Sequence, residues 1–342
     1  MRPLSLSVLG GLLLATSVGG AACGGSSPSG FALDADGGRD GSSGSSGGSG
    51  SSSGSSSGGS SGGFGDSGNG QMTQPLIYAH SDTELYSLNP TTNQTADIGP
   101  FTLTGGGTTP TITDLAVDGN DDVWVNSESA IYKATLPASG TGSVDLALQT
   151  QLPSGTKFYA LGFTPAGTLE TGESLIAGDS AGDLYYVDAS GASATPQNLG
   201  GFGASPSGGT WELSGDVVFY TSGGATVGLA TIRECNPDCS AKDDSLAQID
   251  MTALKQAFTN KTPASTLLQQ VVGSGTGYGD LFGIGAWGNS VYAFSRTSSG
   301  TPAQLVQVGS NGVGMSLQSF SSITDGWSGA GVTTKALVTV VQ

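Results

Sequence analysis

Few side chains in this sequence could carry out acid–base or metal chemistry. His80 is the one histidine among 342 residues, so an imidazole-containing metal site or a Ser-His-Asp triad would have to use this residue. We favour ordinary surface or packing placement near a strand end for His80, because the partners that a site would need are missing. Any hydrolytic or metal-dependent activity would therefore depend on carboxylates.

Carboxylates with metal-binding potential occur in two settings. Asp118, Asn120 and Asp122 alternate along one segment and could place oxygens around a calcium ion. A tight hairpin demands the same residue types, and we favour this turn interpretation. Asp114 and Glu212 lie in runs predicted below to be innermost strands, where they would face a central channel. We expect no cofactor, with calcium or another divalent ion as the alternative that these residues leave open.

Two of the three cysteines form a closely spaced pair. Cys235 and Cys239 are separated by Asn-Pro-Asp, and an oxidising compartment would allow them to form a disulfide. Because the closed loop is so small, such a bond would pin one turn rather than constrain the whole chain. A metal site is the alternative, but it would need two more ligands and no His or Cys lies nearby. We therefore predict the disulfide.

The N-terminus has the three-part layout of a secretory signal peptide. Arg2 supplies positive charge, residues 4–18 form a mostly apolar run, and small residues lead to Cys23. The apolar run is shorter than the roughly 20 residues that a membrane-spanning helix needs. Gly-Ala-Ala-Cys at residues 20–23 resembles the lipobox of bacterial lipoproteins, although Gly20 stands where that family usually has Leu or another larger apolar residue.

The lipoprotein resemblance implies a cellular location for the mature chain. Residues 1–22 would be removed and the thiol of Cys23 would carry diacylglycerol, giving the two acyl chains, such as palmitate, that stable membrane attachment requires. Gly24 rather than Asp follows the cysteine, which in that family implies the outer membrane or cell surface. The small residues before Cys23 also suit an ordinary signal peptidase, so a periplasmic or secreted protein is the alternative.

Residues 23–72 are dominated by Gly and Ser and cannot bury enough apolar surface to fold, so we predict a disordered tether. About 45 residues of such a coil have an end-to-end distance of about 35–40 Å. The formal net charge of −17 argues against a nucleic-acid partner, because phosphate binding needs a basic surface. We expect a monomer that contacts the membrane through its lipid.

Residues 73–342 contain a repeat of short apolar runs that indicates an all-β fold. One strand type recurs five times, a second precedes each copy, and a third precedes four of these pairs. The third type, predicted to be innermost, comprises residues 112–117, 158–163, 209–213 and 281–287, and the second type includes residues 217–220. This pattern predicts a β-propeller of about five four-stranded blades, with six as the alternative. Residues 327–332 would complete the first blade, and residues 337–341 would form an extra strand.

Residues 112–125 resemble one repeat of the NHL and SMP-30-like propellers, in which a polar hairpin joins the two inner strands. SMP-30-like propellers are metal-dependent lactonases that use Glu, Asn and Asp side chains in the channel, which implies such a role for Asp114 and Glu212. Two acids from separate blades are too few to assign that activity. We therefore favour a non-enzymatic module that binds an envelope protein or glycan, with a metal-dependent, lactonase- or esterase-like propeller hydrolase as the alternative.

Overall fold

The computed structural model describes residues 76–155, 157–236, 238–239, 243–296, 302–323 and 326–338. The predicted signal peptide, the predicted lipidation site Cys23, the predicted tether and the predicted domain boundary at residue 73 lie outside these residues. The described chain is nearly all β, as predicted, with twenty strands and one helix. No helix in the described part is long and apolar enough to cross a membrane.

The strands form a propeller of five four-stranded blades, which confirms the predicted fold class. In chain order they are β1 (Ile77–His80), β2 (Glu84–Asn89), β3 (Gln94–Leu103), β4 (Asp114–Val117), β5 (Val123–Asn126), β6 (Ala130–Thr135), β7 (Val144–Gln151), β8 (Phe158–Thr164), β9 (Ser174–Asp179), β10 (Leu184–Val187), β11 (Gln197–Gly200), β12 (Thr210–Ser222), β13 (Ala225–Cys235), β14 (Ser245–Ile249), β15 (Leu268–Val272), β16 (Leu281–Trp287), β17 (Ser290–Ser295), β18 (Ala303–Val308), β19 (Gly314–Phe320) and β20 (Gly329–Val332). The helix α1 (Met251–Asn260) connects β14 to β15.

The innermost strands β4, β8, β12, β16 and β20 contact one another in a closed ring. Blade 1 is β20-β1-β2-β3, and blades 2 to 5 follow as β4–β7, β8–β11, β12–β15 and β16–β19. The outer strands β3 and β7 of blades 1 and 2 also pair in parallel. Each blade therefore presents one strand to the axis, and residues near the ends of these strands meet there.

The C-terminal segment closes the ring by completing blade 1, as predicted. β20 pairs antiparallel with β1 in a register that runs from Ile77 opposite Val332 to His80 opposite Gly329. Trp327 is fully buried beside this seam, and its ring makes edge contacts with Tyr86, Phe294 and Phe320 at centroid distances of 5.3 to 5.4 Å. These aromatic contacts join blade 1 to blade 5.

The predicted extra strand is described only at its beginning. Val338 forms an isolated parallel bridge with Gly288, and residues 339–342 lie outside the described chain. The five blades contain all the named strands. Residue 338 therefore extends the edge of blade 5 and does not begin a sixth blade.

Blade 4 differs from the predicted strand assignment. The sequence predicts residues 217–220 as a second strand, but they belong to the innermost strand β12, and β13 is the second strand. The register shifts between Leu213 and Val217, so three residues of β12 bulge out of the ladder. These residues are Ser-Gly-Asp, which has the composition of a turn between two strands and therefore misleads a sequence-based assignment.

Candidate functional site

Two buried carboxyl groups meet inside the ring of innermost strands. Asp114 begins β4 and Asp216 lies in the bulge of β12, and both side chains are 0% exposed. Each accepts a hydrogen bond from the backbone N–H of the residue that follows it, at 2.8 Å and 2.5 Å respectively. Asp114 also accepts from Leu161 N of blade 3 at 2.6 Å, and Asp216 from Ile284 N of blade 5 at 2.8 Å. The two carboxyl groups thus link four blades.

The two groups lie against each other, and the charge of one affects the titration of the other. Burial raises the pKa of both groups well above the usual range, and the nearby Asp216 charge raises the pKa of Asp114 further. Backbone N–H groups favour the charged form of both carboxyl groups, and for Asp216 these include the N–H of Ala330 in blade 1. The pair therefore retains a proton to a higher pH than two free carboxyl groups would.

His80 lies beside this carboxyl pair, near Gly329 of the innermost strand β20. Its side chain is 0% exposed, and Nδ1 donates to the carbonyl oxygen of Ser81 at 2.6 Å. Burial lowers the pKa of His80 to about 4, so the ring is neutral, and Nε2 has no hydrogen-bond partner among the described residues. Gly329 is required here, because a Cβ at this position would meet both His80 Nε2 and an Asp114 carboxyl oxygen. His80 is a packed core residue that solvent does not reach.

A cavity of about 400 Å³ opens at one end of the axis, and we call it the cup. Its lining comes from the segments that enter the innermost strands and from the connections between second and third strands, so all five blades contribute. The cup carries the hydroxyl groups of Thr111, Thr113, Tyr159, Ser180, Ser214 and Ser328, the ring of Phe282, and the charged side chains of Asp82, Glu128 and Arg296. Thr113 and Gly215 directly precede Asp114 and Asp216, so the carboxyl pair lies next to the cup.

An ion pair fixes the wall of the cup where the ring closes. Arg296 donates from Nη1 and Nη2 to the two carboxylate oxygens of Asp82 at 2.7 and 2.9 Å. Ser328 joins them, because its Oγ accepts from Arg296 at 2.8 Å and donates to Asp82 at 2.5 Å. The hydrogen bond from Arg296 lowers the pKa of Asp82, which stays charged. Both charges at this seam are therefore engaged with each other.

A second charged network supports the cup between blades 4 and 5. Arg233 donates to Asp244 at 2.9 Å, to Asp280 at 2.8 Å and to Ser214 Oγ at 3.1 Å. Asp244 is fully buried and its second oxygen accepts from Leu281 N at 2.7 Å, at the start of β16. These bonds hold the Ser214 hydroxyl in place at the cup.

The structure separates the two acids that the sequence assigns to the channel. Asp114 lies at the axis, whereas the Oε2 atom of Glu212 lies 3.3 Å from the Sγ atom of Cys239. Within the described chain, the side chains whose ligand atoms come close together are Glu212, Cys235 and Cys239. The two sulfur atoms of this group form a disulfide, which confirms the predicted pairing.

The alternating acids of the first hairpin have the contacts of a turn. One oxygen of Asp118 accepts from Asn120 N at 2.7 Å and Asp122 N at 3.1 Å, and the other accepts from Trp124 Nε1 at 3.2 Å. Asp122 pairs with Lys133 at 2.6 Å. Both oxygens of Asp118 are thus used within the hairpin that joins β4 and β5.

Asp216 is the residue of this site that sequence reasoning missed. Its signal is a repeat: Asp114-Leu115 in blade 2 and Asp216-Val217 in blade 4 both place an Asp directly before an apolar innermost segment. Assigning residues 217–220 to a second strand hid this equivalence, because the acid then appeared to lie in a turn.

No protein-family model and no curated protein matches the sequence. Among solved structures, similarity is found to a Bacteroides caccae protein of unknown function, at 10% identity and a TM-score of 0.41, over 76% of this chain and 99% of that one. The Dos1 propeller matches at 12% identity and a TM-score of 0.34, over 72% of this chain and 56% of that one. A Trichoderma reesei carbohydrate-active enzyme of family AA12 matches at 12% identity and a TM-score of 0.37, over 71% and 58%. These are likenesses of fold, and the propeller assignment rests on the strand order and ring closure described above.

Proposed function

We propose that this chain is an exported lipoprotein, anchored to the envelope through Cys23, whose propeller binds a hydroxyl-rich envelope ligand in the cup. The observation that carries this proposal is the cup itself. It is a cavity of about 400 Å³ to which every blade contributes, and its polar groups are mainly hydroxyls. Cavities of this size suit small ligands.

The chemistry of the cup favours a neutral glycan over a charged ligand. Its charged side chains already have partners: Arg296 is bonded to Asp82, and Glu128 forms an ion pair with Lys157 at 2.7 Å. The hydroxyl groups of Thr113, Ser214 and Ser328 already have protein partners. A ligand would therefore bind those of Thr111, Tyr159 and Ser180. Hydroxyl groups both donate and accept, which matches the hydroxyl groups of a sugar. The half-buried ring of Phe282 can cover an apolar sugar face. A protein segment rich in Ser and Thr is the other ligand that this surface would suit.

Binding of envelope glycans tests the role of the cup. The full chain would be titrated calorimetrically with oligosaccharides released from the envelope of the producing cell. We expect Tyr159→Ala and Phe282→Ala to weaken binding by about tenfold or more, the effect of losing a central aromatic contact. Leu148→Ala, at an exposed position on the outer strand of blade 2, is the matched control. Equal affinity in all three variants, or binding to none of the oligosaccharides, would overturn the proposal.

The anchor has a separate test. Two acyl chains on Cys23 would hold the protein at the membrane while the Gly/Ser tether gives the propeller reach. Mass spectrometry of the mature N-terminus should show an acylated Cys23. Cys23→Ser should release the protein from the membrane fraction, and an unmodified N-terminus would refute the lipid anchor without affecting glycan binding by the cup.

A metal-dependent hydrolase of the lactonase or esterase class is the second candidate. The observation in its favour is that His80 Nε2, without a partner in the described chain, and an oxygen of Asp114 approach the same position at Gly329 from different blades. This candidate requires a divalent ion bound by the purified protein and lost in Asp114→Asn. Elemental analysis that finds less than one ion per chain, together with no turnover of lactones or esters, would exclude it.

A further inference from the structure

A second cavity, of about 380 Å³, lies between blades 2 and 3 and is separate from the cup. We call it the side groove, and its principal lining residues are Trp124, Phe163, Glu170, Glu173, Ser174 and Asp188. These residues lie in or next to the connections β4–β5, β8–β9 and β10–β11. In an antiparallel blade, successive connections alternate between the two ends of the strands. The connections that line the side groove therefore lie at the end opposite to those that line the cup. The side groove therefore opens toward the other face of the propeller.

Aromatic rings form one part of the side groove. Trp124 and Phe163 meet edge to face with ring centroids 5.6 Å apart, and both rings are half-buried. The ammonium group of Lys133 already lies 5.7 Å from the centroid of Trp124. This contact is a cation–π interaction within the chain itself. It shows that the ring tolerates an ammonium group at one side.

Carboxylates form another part of the side groove, and no basic side chain is among its lining residues. Hydrogen bonds that Asp188 accepts from Ser190 lower the pKa of Asp188, which keeps this exposed group charged. Glu170 accepts from Tyr186 Oη at 2.9 Å. Glu173 accepts from Gly119 N at 2.8 Å, so its position is fixed by the neighbouring blade. Three acids without a lining cation favour a positively charged ligand.

Ser174 identifies the kind of cation. It lines the side groove and is 1% exposed, yet its Oγ atom has no hydrogen-bond partner within the described residues. Buried hydroxyl groups are normally hydrogen-bonded, so this oxygen indicates a missing partner. A ligand N–H could supply the bond, whereas a quaternary ammonium ion has no N–H to donate. A neutral sugar could reach the hydroxyl but would leave the acids without a counter-ion.

From this combination we infer that the side groove binds a primary ammonium group of the kind carried by aliphatic diamines and polyamines. The ammonium N–H groups donate to Ser174 Oγ and to the carboxylates of Glu170 and Asp188, and the methylene chain packs against Trp124 and Phe163. This site is independent of the ligand of the cup, because the two cavities lie at opposite strand ends.

Calorimetric titration of the full chain with cadaverine tests this inference, and tetramethylammonium serves as the cation without an N–H. We expect one cadaverine per chain, with affinity reduced by about tenfold in Asp188→Asn and severalfold in Ser174→Ala. Ser174→Ala should leave the thermal unfolding midpoint unchanged, because the hydroxyl that it removes has no partner to lose. Asp97→Asn, an exposed acid on the outer strand of blade 1, is the matched control and should bind as the parent chain does.

Three results would overturn the inference. The first is no binding of cadaverine at low ionic strength. The second is equal affinity for cadaverine in the parent chain, Ser174→Ala and Asp188→Asn. The third is tetramethylammonium binding as tightly as cadaverine, which would mean that the hydroxyl group does not take part. None of these results depends on glycan binding by the cup.

Discussion

The buried carboxyl groups of Asp114 and Asp216 lie against each other between blades 2 and 4, and the pKa of each is raised well above its usual range. Through their backbone partners the same two side chains also contact blades 3, 5 and 1. The pair therefore retains a proton to a higher pH than two free carboxyl groups would, at the point where the blades meet.

The backbone contacts of the pair predict the cost of two isosteric substitutions. Each of the four carboxyl oxygens accepts from a backbone N–H group, so Asp114→Asn and Asp216→Asn would each place an amide N–H against a backbone N–H. Each substitution should reduce the free energy of unfolding by about 2 kcal/mol or more. Urea unfolding at neutral pH measures both. A loss of less than about 1 kcal/mol in either variant would show that the backbone N–H groups at that residue do not stabilise the fold.

The raised pKa values of Asp114 and Asp216 also predict how stability depends on pH. The folded pKa values of the pair are raised, so the folded state holds a proton that the unfolded chain releases above a pKa of about 3.9. The resulting stabilisation is complete below that pH and is lost as pH rises through the raised folded pKa, by at most about 1.4 kcal/mol per pH unit. Asp114→Asn should make this decline smaller, because one of the two carboxyl groups that take up protons is removed.

His80 acts in the opposite direction and must be separated from the pair. Its folded pKa of about 4 lies below the unfolded value, so its contribution increases as pH rises from about 4 to 6.5. Comparing the parent chain with Asp114→Asn at each pH cancels this common contribution. Asp121→Asn, at an exposed hairpin position with positive φ that Asn tolerates, is the control. A difference between parent and Asp114→Asn that does not change with pH would contradict the raised pKa of the Asp114–Asp216 pair.

Much of the fold follows from local sequence patterns, whereas the cup does not. Apolar runs bounded by Gly, Asp and Asn mark the strands, and residues 327–332 match the missing innermost strand of blade 1. The Ser-Gly-Asp bulge in β12 has the same composition as a turn, so blade 4 could not be assigned correctly from composition. The ion pair of Asp82 with Arg296 joins residues 214 positions apart, and no local pattern records such a contact.

The Asp82–Arg296 ion pair should stabilise the junction between blades 1 and 5, where the ring closes. Asp82→Asn should lower the free energy of unfolding by about 1–2 kcal/mol at neutral pH, because a bidentate, partly buried arginine bond is lost. Since the folded pKa of Asp82 is lowered, its stabilisation is present above a pH of about 3.9 and is lost as pH falls through the folded pKa. Asp82→Asn should therefore show a smaller loss of stability on acidification than the parent chain.

The ion pair of Lys157 with Glu128, also at the cup, provides the control for Asp82→Asn. Lys157 and Glu128 are both more than 40% exposed, so Lys157→Gln should leave the free energy of unfolding nearly unchanged. Denaturant midpoints of the parent chain and both variants at pH 7 and at about pH 2, well below the unfolded pKa of an aspartate, measure these effects. Equal effects of Asp82→Asn and Lys157→Gln at neutral pH would mean that the seam does not depend on Asp82.

Gly329 provides the most direct test of how the ring closes. An alanine Cβ at this position would lie 2.5 Å from His80 Nε2 and would also meet an oxygen of Asp114, and neither of these buried side chains has room to move. Gly329→Ala should therefore separate β20 from the axis and cost about 3 kcal/mol or more, as overpacked cores do. Gly172→Ala, where a Cβ would have no neighbour within 4 Å, should leave stability nearly unchanged. Thermal unfolding measures both, and protection of the β1 and β20 amides from hydrogen exchange reports where the damage occurs. If Gly329→Ala unfolds at the same temperature as Gly172→Ala, the close approach of β20 to His80 and Asp114 does not hold the ring together.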